Sequence, residues 1–194
     1  MQSRGLLYPC FCTRKDIQKE IDAAGGAPHG LEGPLYPGIC RSLSEDERQS
    51  RIAAGESCAL RLDVDRAVAE VGSHLQWIDV GRGIQRAEPQ KPGDVVLVRK
   101  DIGCSYHLAV AVDDAVQEVP RVTRGEDLFE ATHLHRLLQA LLGLKSPEYE
   151  HHALMCDSDG RRLAKRDDAE TLRSLRHRGV SADEIIKRLV VCLG

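Results

Sequence analysis

The sequence predicts an α/β fold: half of an α/β sheet preceded by a small cysteine-rich lobe. Three observations predict it. Two short cysteine clusters stand near the start, Cys10 and Cys12 in Tyr8-Pro9-Cys10-Phe11-Cys12-Thr13-Arg14, and Cys40 in Tyr36-Pro37-Gly38-Ile39-Cys40-Arg41. Continuous apolar runs follow at 95–98 and 108–112, the pattern of strands buried on both faces of a parallel sheet. Apolar residues at helical spacing then fill 126–142, which reads as an amphipathic helix.

The elements follow in order. Thr13 with Asp16 three residues later opens a helix over 14–23, because each side chain can cap the other's backbone. Gly25, Gly26, Pro28, Gly30, Gly33 and Pro34 mark a loop. Ser44 and Glu47 form a capping box for a second helix through Ala54, and Gly55 closes it. Residues 60–64 and 75–80 alternate apolar and polar as half-buried strands do. The run 152–156 is a third buried strand, and Gly143 stops the helix before it. Helices over 167–177 and 181–193 close the chain, the last opened by Ser181 and Glu184. The order strand, helix, strand, then helices is half of an α/β sheet of the nucleotide-binding kind. The expected division is a lobe at 1–57, a small, mostly antiparallel connecting element at 58–93 and the half-sheet with its closing helices at 94–194.

Composition bounds the function. A chain of 194 residues, 42% hydrophobic and 29% charged, suits one or two soluble globular domains. Aromatics make up only 4%, so the core must rest on Leu, Val, Ile and Ala. The seven cysteines are odd in number and follow no apolar signal core, so a reducing, cytoplasmic setting is expected, with clustered thiols as metal ligands rather than bridges. No apolar run approaches the roughly 18 residues that cross a bilayer. A net charge of -3 excludes a polycation. Within 161–178, however, seven basic residues (Arg161, Arg162, Lys165, Arg166, Arg173, Arg176 and Arg178) face three acids. That stretch suits phosphate, and it suits a solvated helix face equally well.

A closed zinc site needs four N, O or S ligands drawn from loops that can face each other. The thiols of Cys10, Cys12 and Cys40 and the phenol of Tyr36 can supply four, against the plainer reading of small buried or free thiols. Cys58, Cys104, Cys156 and Cys192 lack partner spacing and read as apolar core residues, while His29 and the pair His151-His152 are competing ligands.

Six segments then resemble one family in order and spacing: Tyr8–Arg14, Tyr36–Arg41, Asp94–Ile102, Ser105–Asp114, Val122–Leu128 and Arg162–Arg166. The series is similar to the glutamyl-queuosine tRNA(Asp) synthetases, short relatives of the catalytic core of glutamyl-tRNA synthetase. The resemblance runs from about Leu6 to about Val191. It implies a Rossmann-type catalytic domain of a class I aminoacyl-tRNA synthetase with an inserted small zinc-binding lobe. It implies activation of L-glutamate by ATP with Mg²⁺, then transfer to queuosine at the wobble position of tRNA(Asp). By position, Cys10, Cys12, Tyr36 and Cys40 match the family's Zn²⁺ ligands. Tyr106 and Arg124 match the residues that hold glutamate, and an arginine fork suits a carboxylate. From the residues alone they read as a half-buried Tyr, at the edge of strand 108–112, and a surface Arg. Lys165, in Arg162-Leu163-Ala164-Lys165-Arg166, matches the second lysine of the KMSKS loop. There it is expected to bind ATP and to act catalytically by stabilising charge on the phosphates. Asp113 and Asp114 close the 108–112 run, where a turn-capping role ranks above a ribose contact.

The family's HIGH-type segment, which contacts ATP, has no counterpart between Met1 and Leu6, so weak or absent adenylate formation is expected of these 194 residues. The alternatives are a non-catalytic, zinc-stabilised tRNA-binding module and a fragment of a glutamyl-tRNA synthetase. The expected partners are glutamate, ATP and queuosine-bearing tRNA(Asp), with no membrane, and the expected state is a monomer.

Overall fold

The computed structural model describes residues 1–23, 29–30, 33–72, 74–156 and 171–193. In chain order the strands and α-helices are β1 (Leu7–Cys10), α1 (Arg14–Ala23), β2 (His29–Gly30), β3 (Gly33–Pro34), α2 (Glu45–Ala53), β4 (Ala59–Leu62), α3 (Val64–Val71), β5 (Gln76–Asp79), β6 (Gly83–Arg86), β7 (Val96–Val98), α4 (Tyr106–Val116), β8 (Arg121–Gly125), α5 (Phe129–Leu142), β9 (Glu148–His152), α6 (Leu172–His177) and α7 (Ala182–Leu193). The result is an α/β architecture with mixed sheets. β1, β4 and β7 form an antiparallel sheet in that order, and β2 and β3 form a two-stranded ribbon. The third sheet runs β6-β5-β9-β8, with β9 parallel to both β5 and β8 and β6 antiparallel to β5.

Local signals set many of these boundaries. Thr13 and Asp16 cap each other's backbone at the start of α1. Ser44 and Glu47 make the full capping box of α2, and Gly143 takes a left-handed φ of 67° to end α5. Asp63 caps α3 through the Arg66 N–H, which ends β4 at Leu62 and turns Val64 into a helix. That correction shortens the expected 60–64 strand.

Three further expectations change. The run 108–112 is not a strand: it lies inside α4, whose start is capped by Ser105 accepting from the Leu108 N–H. A short apolar run fits a buried helix as well as a buried strand, and here Ser105 and packing against α5 decide for the helix. Strand 95–98 exists as β7, but it pairs antiparallel with β4 rather than in the parallel sheet. The last strand is Glu148–His152, upstream of the expected 152–156. Its alternation, with Tyr149 buried between Glu148 and Glu150, is that of a strand with one wet face. The parallel part of the fold is therefore the unit β8-α5-β9 with β5 added beside β9.

α5 sits at the centre. Leu134, Leu137, Leu138 and Leu141 pack with Leu6, Leu62, Val64, Ala67, Leu97 and Ala111 into the main core. Its other side meets the four-stranded sheet, where Phe129 packs against Trp77 and Tyr149. Contacts on both sides bury it almost all round, including the polar Thr132, His133, His135 and Gln139. No helix among the described residues is long and apolar enough to cross a membrane.

Candidate functional site

The cysteine lobe brings its four expected residues together. Cys10 ends β1, Cys12 lies just beyond it, and Tyr36 and Cys40 flank a turn in which Gly38 has φ 83°. The Sγ atoms of Cys10, Cys12 and Cys40 lie within 4.8 Å of one another. Cys12 and Cys40 are 3.4 Å apart, and Tyr36 Oη stands 3.5 Å from Cys10 Sγ and 3.7 Å from Cys12 Sγ. Four O and S ligands held tetrahedrally at roughly 2.0–2.3 Å from a metal would be about 3.5–3.8 Å from one another. The donor set suits a metal ion, and these three distances match that spacing.

The lobe's electrostatics are uneven. Burial pushes the Cys12 thiol up to about 12, and it pushes the Tyr36 phenol up as well. Burial also raises Cys40, but hydrogen bonds from Tyr36 and the Phe11 backbone outweigh it and hold that thiol below its ordinary value. Cations gather round. The Arg61 guanidinium lies 3.8 Å from the Tyr36 ring centroid and that of Arg51 lies 4.2 Å from the Phe11 ring centroid, while Lys100 Nζ donates to the Phe11 carbonyl at 2.9 Å. Cys58 is half-buried against this cluster. Cys104 is half-buried and Cys156 exposed, so neither is the core residue expected, and the Cys192 side chain lies outside the described residues.

A second polar cluster forms where β5, β8, β9, α4 and α5 meet. Tyr106 is the first residue of α4, not the edge of a strand, and is 50% exposed. Arg124, on β8, is 9% exposed rather than on the surface. The two lie close: the Tyr106 ring centroid is 6.0 Å from that of His135, which bonds Arg124, and the Tyr106 side chain acts on the Arg124 guanidinium electrostatically. Arg124 Nε donates to His151 Nε2 at 3.1 Å, Nη1 to His135 Nδ1 at 3.2 Å, and Nη2 to the Leu128 carbonyl at 3.2 Å and to Thr132 Oγ1. His151 Nδ1 is 2.6 Å from Asp79 Oδ2, and the other oxygen of Asp79 accepts the N–H groups of Gly81 and Arg82. His107 Nδ1 is 3.0 Å from His135 Nε2.

These contacts assign the protons. Arginine only donates, so His151 Nε2 and His135 Nδ1 carry none. His151 therefore donates from Nδ1 to Asp79, and His135 donates from Nε2 to His107. Burial lowers the pKa of His151 even with Asp79 opposing the shift. It drives His135 down to about 2, helped by the charge of Arg124. Both rings are neutral near pH 7. The charge of Arg124 is thus met by Asp79 through one imidazole and by the nearby Asp114 carboxylate, and Tyr106 stands at the exposed edge of the buried polar chain.

Asp79, His107, Thr132, His135 and His151 were not expected here. The signal that could have found them is the density of histidines around the apolar run and helix, joined to an arginine that needs partners once buried. His151 is committed to this cluster and is no metal ligand. Asp113 and Asp114 lie inside α4 rather than at a strand end, and burial raises Asp114. Lys165 falls outside the described residues, as does most of the basic stretch; Arg173, Arg176 and Arg178 are exposed on and just after α6.

Comparison with known proteins places this architecture. The family model for tRNA synthetases class I (E and Q), catalytic domain, matches residues 1–192. The glutamyl-Q tRNA(Asp) synthetase of Rhodobacter capsulatus is 46% identical over 96% of this chain and 67% of its own length. That of Symbiobacterium thermophilum is 40% identical over 100% of this chain and 58% of its own. The chain thus spans between about half and two thirds of such relatives. The crystal structure of glutamate-tRNA synthetase from Elizabethkingia anophelis superposes with a TM-score of 0.63 at 26% identity, covering 84% of this chain and 33% of that one. By sequence and by fold, the chain belongs to the class I (E and Q) tRNA synthetase catalytic-domain family, among relatives that include the glutamyl-Q tRNA(Asp) synthetases.

Proposed function

We propose that this chain contributes to ATP-dependent activation of L-glutamate and its transfer to queuosine at the wobble position of tRNA(Asp). In this reading a glutamate carboxylate oxygen attacks the α-phosphorus of ATP, pyrophosphate leaves, and the adenylate then passes its glutamyl group to the queuosine with release of AMP. Tyr106 and Arg124 hold the glutamate. Lys165, with Mg²⁺, neutralises charge developing on the phosphates. The observation that carries the reading is the placement of Tyr106 and Arg124 on either side of His135, with the exposed Tyr106 at the open edge of a buried network. It is supported by relatives named for glutamyl-Q tRNA(Asp) synthesis that align along nearly the whole chain. Glutamate-dependent exchange of pyrophosphate into ATP tests activation, and charging of tRNA(Asp) with and without queuosine tests the acceptor. Exchange that is indifferent to glutamate would end the proposal.

Cys10, Cys12, Tyr36 and Cys40 would hold a zinc ion. When bound, it supplies a structural cross-link between the end of β1 and the turn at 36–40. Metal analysis is expected to give one zinc per chain, and Cys40→Ser is expected to lose it and to lower the thermal midpoint. The exposed arginines of α6 favour a second reading, a zinc-stabilised tRNA-binding module without catalysis. Binding of tRNA with no pyrophosphate exchange would select it.

A further inference from the structure

Outside the expected ligands, one set of groups is built with unusual care: the buried line Asp79, His151, Arg124, His135, His107. Asp79 and His135 are each 1% exposed and the His151 side chain is fully buried. Each link is a hydrogen bond, from 2.6 Å at Asp79–His151 to 3.2 Å at Arg124–His135. A buried guanidinium is costly unless its donors are satisfied and its charge is balanced. Thr132 and Leu128 satisfy donors, and the nearby Asp114 carboxylate of α4 acts on the charge through space, but within the hydrogen-bonded line the only carboxylate is Asp79, and it reaches Arg124 through His151.

We propose that His151, held by Asp79, is a positioning residue that fixes the plane of the Arg124 guanidinium beside Tyr106. The imidazole does this by its shape and by its two nitrogens. Nδ1–H is anchored by an aspartate whose other oxygen is locked by the turn at Gly81 and Arg82. Nε2 then offers one lone pair at a fixed place, to which Arg124 Nε–H must point. The rings of Phe129 and Trp77 meet the imidazole edge-on, with centroids 5.1 and 5.8 Å away, and Tyr149 lies nearly parallel to it, 13° off, at 6.1 Å. Reuse of Asp–His pairs to orient a working group is general chemistry. The consequence for glutamate rests on the proposed function above; the orientation of Arg124 does not.

The test compares His151→Gln, His151→Leu and Asp79→Asn with the parent chain. A glutamine can accept from Arg124 with its carbonyl and donate to Asp79 with its amide, whereas leucine fills similar space and does neither. Long-range ¹H–¹⁵N spectra are expected to show His151 as the Nδ1–H tautomer and Arg124 Nε–H as a slowly exchanging signal. In His151→Gln that exchange stays within about threefold of the parent, while in His151→Leu it accelerates at least tenfold. Asp79→Asn mixes the His151 tautomers and accelerates the exchange as well. Glutamate affinity by calorimetry is expected to follow: near parental in His151→Gln, at least tenfold weaker in His151→Leu. If His151→Leu lowers the melting temperature yet leaves Arg124 Nε exchange at the parental rate, His151 is packing only and the proposal is overturned. If the parent chain binds no glutamate, the glutamate reading fails, and the exchange rates still decide the positioning role.

Discussion

His135 is kept uncharged by its surroundings, and this gives the protein an acid-sensitive centre. Its folded pKa, lowered to about 2 by burial and by Arg124, His107 and His151, lies far below the ordinary histidine value. Above pH 6.5 both folded and unfolded chains hold it neutral, so it contributes no pH dependence. As pH falls below about 6.5 only the unfolded chain takes the proton, so stability falls by about 1.4 kcal/mol per pH unit for this residue. Urea unfolding at pH 7, 6 and 5 is expected to show the decline, and His135→Gln is expected to flatten it. His133 and His151, also lowered by burial, add to the same trend. Gln139 lies one turn beyond His135 on the same face of α5: its amide donates to the Tyr149 hydroxyl at 2.9 Å, while its buried oxygen has no partner among the described residues. Gln139→Leu is therefore expected to change stability by no more than about 1 kcal/mol, because the lost bond is offset by removal of an unsatisfied acceptor.

Among the elements, α4 shows how much a single cap decides. Ser105 is buried, accepts from the Leu108 N–H and donates its own N–H to the Leu97 carbonyl of β7. The helix start is thereby tied to the antiparallel sheet, and Tyr106, the next residue, is set beside Arg124. Ser105→Ala is expected to cost about 1 kcal/mol and, by loosening the first turn, to weaken glutamate binding more than Ser44→Ala, whose α2 cap is remote from Tyr106. Calorimetry on the two variants checks the contrast. The caps of α1, α2 and α5 were legible because their residues act within four positions of each other. The identity of α4 was not. Leu108-Ala109-Val110-Ala111-Val112 offers no polar residue to mark a face, and the Ser105 cap together with contact with α5 on one side chooses helix over strand. The last strand was misplaced for a related reason: Glu148 and Glu150 face outward, so the run is not apolar, and its assignment needs β8 and β5 alongside.

For the whole molecule, Asp94 is the residue that joins the lobe to the sheet. Its carboxylate accepts from the Tyr8 hydroxyl at 2.6 Å and the Val64 N–H at 3.1 Å, and Arg41 approaches to 3.4 Å. Those partners lie on β1, at the start of α3 and beside Cys40. Asp94→Ala would leave a buried phenol and a buried amide without an acceptor and is expected to cost roughly 3 kcal/mol. Chemical denaturation measures it, and the variant is expected to lower metal affinity as well, because Tyr8 packs against Cys10 and Cys40. What the sequence by itself determined was local or closely spaced: the caps, the turn glycines, the thiols of Cys10 and Cys12 two residues apart, and the ordered motifs that mark the family. Which strands pair, that 108–112 coils, and that Arg124 lies buried against His151 and His135 were decided only by tertiary structure. Pairing, burial and hydrogen bonding between residues tens of positions apart are properties of the packed chain, and no window of neighbouring residues contains them.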